Sequence, residues 1–266
     1  MGWSDLILQG EVITELKRLV KIVENPDITR KLGIEPPKGI LLYGPPGTGK
    51  TTIAKVIASE ANASFFSISP AEVYSKWLGE SERNVTKIFE EARKYKPSII
   101  FIDEIDALLG KRGGEGAVWA DKIVNLILQE IDGIKDTAYV FIIGATNAPD
   151  LVDPALLRGE RLSTQIEIPL PGKPEREKLF SLFLYKTPKA SDVDGGGLAD
   201  LTEGYSGADI KEICHRAILD MFDRSEDKTP EVTQEDLRRS IQKYGKASAI
   251  YRVPDYFKKK TIGFVS

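Results

Sequence analysis

A single cysteine, Cys214, and a single histidine, His215, stand in 266 residues. One cysteine excludes an intrachain disulfide and a cysteine-rich zinc site. One histidine leaves no basis for a Ser-His-Asp triad or a histidine metal centre. Both residues lie on or beside an apolar helix face and are read as packing residues. No uninterrupted apolar run approaches the ~18 residues of a membrane span. The opening Met1-Gly2-Trp3-Ser4-Asp5-Leu6 lacks the regions of a secretion signal, and Leu6 stands where myristoylation wants Ser or Thr. An excess of one charge is also lacking. Lys+Arg 37 against Asp+Glu 40 gives a net charge of −3 and a pI ≈ 5.5, which speaks against wholesale nucleic-acid binding. With 41% hydrophobic and 29% charged residues the composition is that of a folded, cytoplasmic-type protein. Its chemistry must come from carboxylates, Lys, Arg, hydroxyls and backbone.

What is present is an alternation of apolar runs with helical patterns, the mark of an α/β layer fold. Val12, Leu16, Leu19 and Val23 predict one face of an opening helix. Short strands are predicted at 39–43, 64–69, 98–103, 139–144 and 166–168, with helices over 50–61, around Val85 to Ala92, and from Ile123 to Ile131. After Pro169-Leu170-Pro171-Gly172 the strand signals stop, and Ile210, Ile213, Cys214, Ala217 and Met221 form a helical stripe. The expected organisation is a large α/β domain over 1–171, a small helical domain over 172–247, and a tail over 248–266. The tail carries Tyr251, Tyr256, Phe257 and Lys258-Lys259-Lys260 without periodicity, and it reads equally as docking segment or disorder.

Two motifs carry chemistry. Gly44-Pro45-Pro46-Gly47-Thr48-Gly49-Lys50-Thr51 matches G-x-x-x-x-G-K-[ST] between an apolar strand and a helix, the context that motif needs. Its glycines let backbone N–H groups face an anion, and the following helix N-terminus adds its positive dipole end. Lys50 is then placed to reach β- and γ-phosphates, and the Thr51 hydroxyl to ligate Mg²⁺. The second motif, Asp103-Glu104-Ile105-Asp106, leaves the end of the strand Ile99-Ile100-Phe101-Ile102. Asp103 fits a second Mg²⁺ contact, and Glu104 a group that orients or deprotonates an attacking water. No Asn-Lys-x-Asp guanine reader occurs, which favours ATP over GTP.

These residues together resemble the AAA family of ATPases, over about Trp3 to Tyr244. The resemblance is carried by Gly33 to Gly39, by Ser75-Lys76-Trp77-Leu78-Gly79-Glu80-Ser81-Glu82, and by Gly144-Ala145-Thr146-Asn147. Asp153-Pro154-Ala155-Leu156-Leu157-Arg158 and Gly204-Tyr205-Ser206-Gly207-Ala208-Asp209 complete it. Ser75 to Glu82 and Leu179 to Pro188 are most similar to the katanin, spastin and endosomal-sorting branch with its archaeal relatives. The resemblance implies a P-loop NTPase fold, a five-stranded parallel sheet between helices followed by a small all-helical lid. It implies ATP and Mg²⁺ as ligands, with Gly44 to Thr52 around the phosphates. Asp5-Leu6, Gly207 and Ala208 match positions around adenine and ribose. Asn147 matches a sensor of the γ-phosphate and water. Arg158 and Arg161 match paired fingers that enter a neighbouring subunit's site, and Lys76-Trp77-Leu78 matches a pore loop that grips polypeptide.

Each position also has a plainer reading: a locally buried tryptophan at Trp77, a turn former at Asn147, solvated arginines at Arg158 and Arg161. The chain departs from the family where two glycines are usual and Ile7-Leu8 stand, and where Pro-Gly is usual and Gly159-Glu160 stand. A glycine-rich loop over 110–119, with Trp119, is a candidate second pore loop. The expected function is a homohexameric ring that hydrolyses Mg-ATP and remodels protein substrates, its assembly either permanent or ATP-dependent. A nucleic-acid-associated motor and a weakly hydrolysing scaffold are the alternatives. No recognition domain precedes Trp3, so targeting is expected from an adaptor or a longer chain.

Overall fold

The computed structural model describes residues 1–245 except 26–27, 29–30, 34–36, 71–72, 74–79, 109–116, 135–139, 160 and 225–229. The described strands are β1 Gly39–Tyr43, β2 Ser64–Ile68, β3 Ser98–Ile102, β4 Val140–Thr146 and β5 Thr164–Glu167. Helices α1 Gly10–Glu24, α2 Lys50–Glu60, α3 Glu80–Lys94, α4 Ile105–Leu108 and α5 Ala117–Asp132 lie between or before them. Helices α6 Lys173–Phe183, α7 Gly195–Leu201, α8 Gly207–Arg224 and α9 Gln234–Tyr244 follow.

The five strands form one parallel sheet in the order β2-β3-β4-β1-β5. Its interior strands read as continuous apolar runs because both faces are covered. All residues of β1, β3 and β4 are buried, while the edge strands Ser64–Ile68 and Thr164–Glu167 keep polar, partly exposed positions. Alternate side chains feed two cores. Ile40, Leu42, Ile99, Phe101, Phe141 and Ile143 pack with Leu16 and Leu19 of α1 and with Ile53 and Ile57 of α2. Leu41, Ile100, Ile102 and Ile142 pack on the opposite face with Phe89 of α3 and Ile123, Ile127 and Ile131 of α5. Each such fully buried aliphatic or aromatic side chain contributes about 1.5–3 kcal/mol.

A third core belongs to the helices after Gly172. Phe180, Leu184, Leu198, Ile210, Ile213, Cys214, Ala217 and Leu237 close it. Three anchors brace this lid: the Arg224–Asp236 ion pair, the Thr233 cap of α9, and Arg176. Arg176, 6% exposed, donates to the carbonyls of Pro171 and Ala199 and so bolts the connecting segment to α6 and α7. Among the described residues after Gly172, the regular structure is helical apart from one isolated parallel bridge between Lys189 and Val232.

Several expectations shift. The strand expected at 139–144 runs on to Thr146, which delivers Asn147 to the sheet's carboxyl edge. Of the loop expected over 110–119, residues 110–116 lie outside the described residues, and Ala117, Val118 and Trp119 belong to α5. Cys214 is buried, but His215, one residue round α8, faces solvent instead of packing. The segment Lys76-Trp77-Leu78, Glu160 and the tail lie outside the described residues.

Candidate nucleotide-hydrolysis site

The site forms where β1, β3 and β4 end. The turn after β1 needs backbone that only glycine supplies comfortably: Gly44, Gly47 and Gly49 have φ of +151°, +77° and +90°. A Cβ on Gly44 would stand 2.2 Å from the Ile168 carbonyl oxygen, and one on Gly47 2.6 Å from Ser206 Oγ. Gly49 then caps the N-terminus of α2. Lys50 turns back over the loop, its Nζ donating to the Gly44 and Pro45 carbonyls at 2.9 and 2.8 Å. Burial lowers its pKa from 10.5 to about 8, against the opposing pull of Asp103 and Asp106. Gly44 and Pro45 are therefore backbone supports of the lysine.

Thr51 and Asp103, 52 residues apart in sequence, meet through Thr51 Oγ1 donating to Asp103 Oδ2 at 3.1 Å. Their oxygens are the hard donors that Mg²⁺ takes, and such sites leave most positions to water and phosphate. No group of three or more His, Cys, Asp or Glu suited to a metal occurs among the described residues. Asp103 Oδ1 also accepts the Glu104 N–H at 3.0 Å. Glu104 has φ +45°, a left-handed conformation that costs a non-glycine residue about 1–2 kcal/mol. The side chain is exposed and lines the cleft opposite the loop.

That cleft, of about 490 Å³, is lined by Asp5, Leu6, Pro46, Gly47, Thr48, Gly49, Lys50, Thr51 and Thr52 on one side. Asp103, Glu104 and Asn147 line it at the sheet, and Leu179, Phe183, Gly207, Ala208 and Lys211 at the lid. The lid touches the phosphate loop directly, since Ala208 N–H donates to the Gly47 carbonyl at 3.1 Å. Ser206 and Asp209 fix the start of α8 there: Ser206 Oγ donates to Asp209 Oδ2 at 2.7 Å. Ile7 and Leu8 do not merely replace small residues. Ile7 packs on the lid core and Leu8 on the sheet core, so this strap ties the two together beside the cleft.

The two arginines are placed differently. Arg158 is exposed, and among the described residues nothing pairs with it. Arg161 is held within its own chain by a bidentate contact to Asp132, at 2.8 and 2.7 Å, and by donation to the Ala155 carbonyl at 2.6 Å. That hydrogen bonding lowers the Asp132 pKa and raises that of Arg161. Sequence reasoning missed Lys211, whose surface position on α8 gives no local signal, and Ser206, quoted only as part of a motif.

A parallel sheet with a glycine loop after an interior strand, a buried lysine and an acidic strand end defines a P-loop nucleoside triphosphatase. The match to known families narrows this. Residues 40–170 match the ATPase family associated with various cellular activities (AAA), and residues 192–239 match the AAA+ lid domain. The chain is thus built as an AAA ATPase domain followed by an AAA+ lid, a nucleotide-binding ATPase assembly. Among the described residues no helix is long and apolar enough to cross a membrane.

Proposed function

We propose that the chain hydrolyses Mg-ATP in a ring of like subunits and uses the cycle to remodel protein substrates. The observation that supports this most is the convergence of Lys50, Thr51, Asp103, Glu104 and Asn147 on one cleft closed by a lid. Lys50 offsets phosphate charge. Mg²⁺, when bound, would be held by Thr51 and Asp103 and would neutralise phosphate oxygens. Glu104 orients a water and takes its proton as the oxygen attacks the γ-phosphorus. The bond to the β–γ bridging oxygen breaks, leaving ADP and inorganic phosphate. Asn147 hydrogen-bonds the γ-phosphate and that water. The protein's contribution is positioning and charge neutralisation, which phosphoryl transfer mainly requires.

Arg158, exposed on the segment before β5, is in this reading the finger that enters a neighbour's cleft. Arg161, tied to Asp132, holds that segment in shape. Asp5-Leu6 and Gly207-Ala208 bracket base and ribose. Within the AAA proteins we place the chain beside the katanin, spastin and endosomal-sorting branch, with Lys76-Trp77-Leu78 as the polypeptide-gripping loop. Residues 1–171 form the ATPase domain in this reading and 172–247 the lid.

The test is ATP turnover per subunit against protein concentration in Mg²⁺ buffer, with particle size measured alongside. Turnover should climb steeply and then level off, and it should respond to unfolded polypeptide more than to DNA or RNA. Full activity from a monomer would refute a finger acting in trans.

A further inference from the structure

Thr146, the last residue of β4, is 1% exposed and bonded in three directions. Its hydroxyl donates to Asp106 Oδ1 at 2.5 Å and accepts the Ala148 N–H at 2.8 Å. Its carbonyl accepts the Gly44 N–H at 3.3 Å. One buried residue thereby links three segments: the acidic stretch after β3, the turn after β4, and the first glycine of the phosphate loop. The bridge from Thr146 Oγ1 to Ala148 N–H is a hydroxyl-closed turn with Asn147 at its apex. Asn147 is exposed into the cleft, whereas Thr146 and Asp106 stand behind it. A hydroxyl that donates and accepts at once has no apolar substitute. Replacing it by a methyl group would leave the Asp106 carboxylate and the Ala148 N–H without their partner.

We propose that Thr146 and Asp106 form a positioning relay that sets the direction of the Asn147 amide in the cleft. This rests on the reading of Asn147 given above. Neither relay residue touches the nucleotide; each acts through Asn147. The relay also registers Asn147 against Gly44, so the phosphate loop and the γ-phosphate sensor keep a common frame. Loss of that frame changes the chemical step more than it changes ATP binding, since the binding contacts of Gly47 to Thr52 stay in place.

The experiment compares Thr146→Val, Thr146→Ser, Asp106→Ala, Asp106→Asn, Asn147→Ala and the Thr146→Val/Asn147→Ala double variant. Turnover is measured at saturating ATP and protein, and affinity with a fluorescent ATP analogue. Thr146→Val should lower kcat about tenfold while the analogue's Kd changes less than about twofold. Thr146→Ser should restore kcat, because serine keeps both hydrogen bonds. In the Asn147→Ala background Thr146→Val should cost nothing further, a non-additivity that mere loss of stability would not produce. Wild-type turnover by Thr146→Val beside a crippled Asn147→Ala would overturn the relay and leave Asn147 its role. Fully additive losses would overturn it as well. Wild-type turnover by Asn147→Ala, or no hydrolysis by the unaltered chain, would overturn the reading of the site and the relay with it. Where Thr146→Val does not fold, Asp106→Ala, which removes the acceptor of the Thr146 hydroxyl, must lower kcat in the same way and cost nothing further when combined with Asn147→Ala. Asp106→Asn, whose amide oxygen still accepts, should stay near wild-type turnover.

Discussion

Lys50 gives the sharpest quantitative test of the site. It is 8% exposed, and burial brings its pKa down from 10.5 to about 8 before any phosphate arrives. A shift of that size corresponds to about 3 kcal/mol of preference for the neutral amine. The sign follows from linkage. The folded chain binds fewer protons at Lys50 than the unfolded chain between pH 8 and 10.5, so this residue's penalty on stability fades as pH rises through that window. Phosphate binding runs the other way. The polyanion favours the ammonium form and draws its pKa back up. Without ligand, Lys50 is about nine-tenths charged at pH 7 and about one-tenth charged at pH 9. Mg-ATP affinity should therefore fall about tenfold between those values, and binding at pH 9 should take up close to one proton. Titration calorimetry in two buffers of different ionisation enthalpy measures both quantities. Lys50→Ala should abolish the proton uptake. Equal affinities at pH 7 and 9, with heats independent of buffer, would refute the buried, half-titrated lysine.

Two further outcomes follow from the same geometry. Glu104→Gln keeps the shape but removes the proton acceptor, so kcat should drop by about 10²–10⁴ while ATP affinity holds; an equal loss of both would show a binding role instead. Cys214 is 1% exposed, and burial pushes its thiol up to about 12. It should resist thiol reagents at pH 8 in the native chain and react only as fast as the lid opens. Rapid labelling with the lid's circular dichroism intact would contradict the packing.

The sequence by itself determined whatever is local along the chain. The phosphate loop is eight consecutive residues between a strand and a helix, so its glycines, lysine and threonine are fixed relative to one another by backbone connectivity alone. The apolar runs of β1, β3 and β4 were readable because strands buried on both faces carry no polar alternation. The edge strand β5 was harder: Thr164-Gln165-Ile166-Glu167 is polar at three of its four positions, so the apolar signal marked only 166–168, and pairing with β1 sets the strand at Thr164–Glu167. Other features exist only through contacts between distant segments. Asp103 meets Thr51 across 52 positions, and Thr146 meets Asp106 across 40. Arg158 and Arg161, alike in a motif, part company because Asp132, 29 residues from Arg161, holds one and not the other. Ile7 and Leu8, adjacent and similar, enter different cores. A hydrogen bond or a packing contact depends on the position of both partners, and only tertiary structure places the second partner.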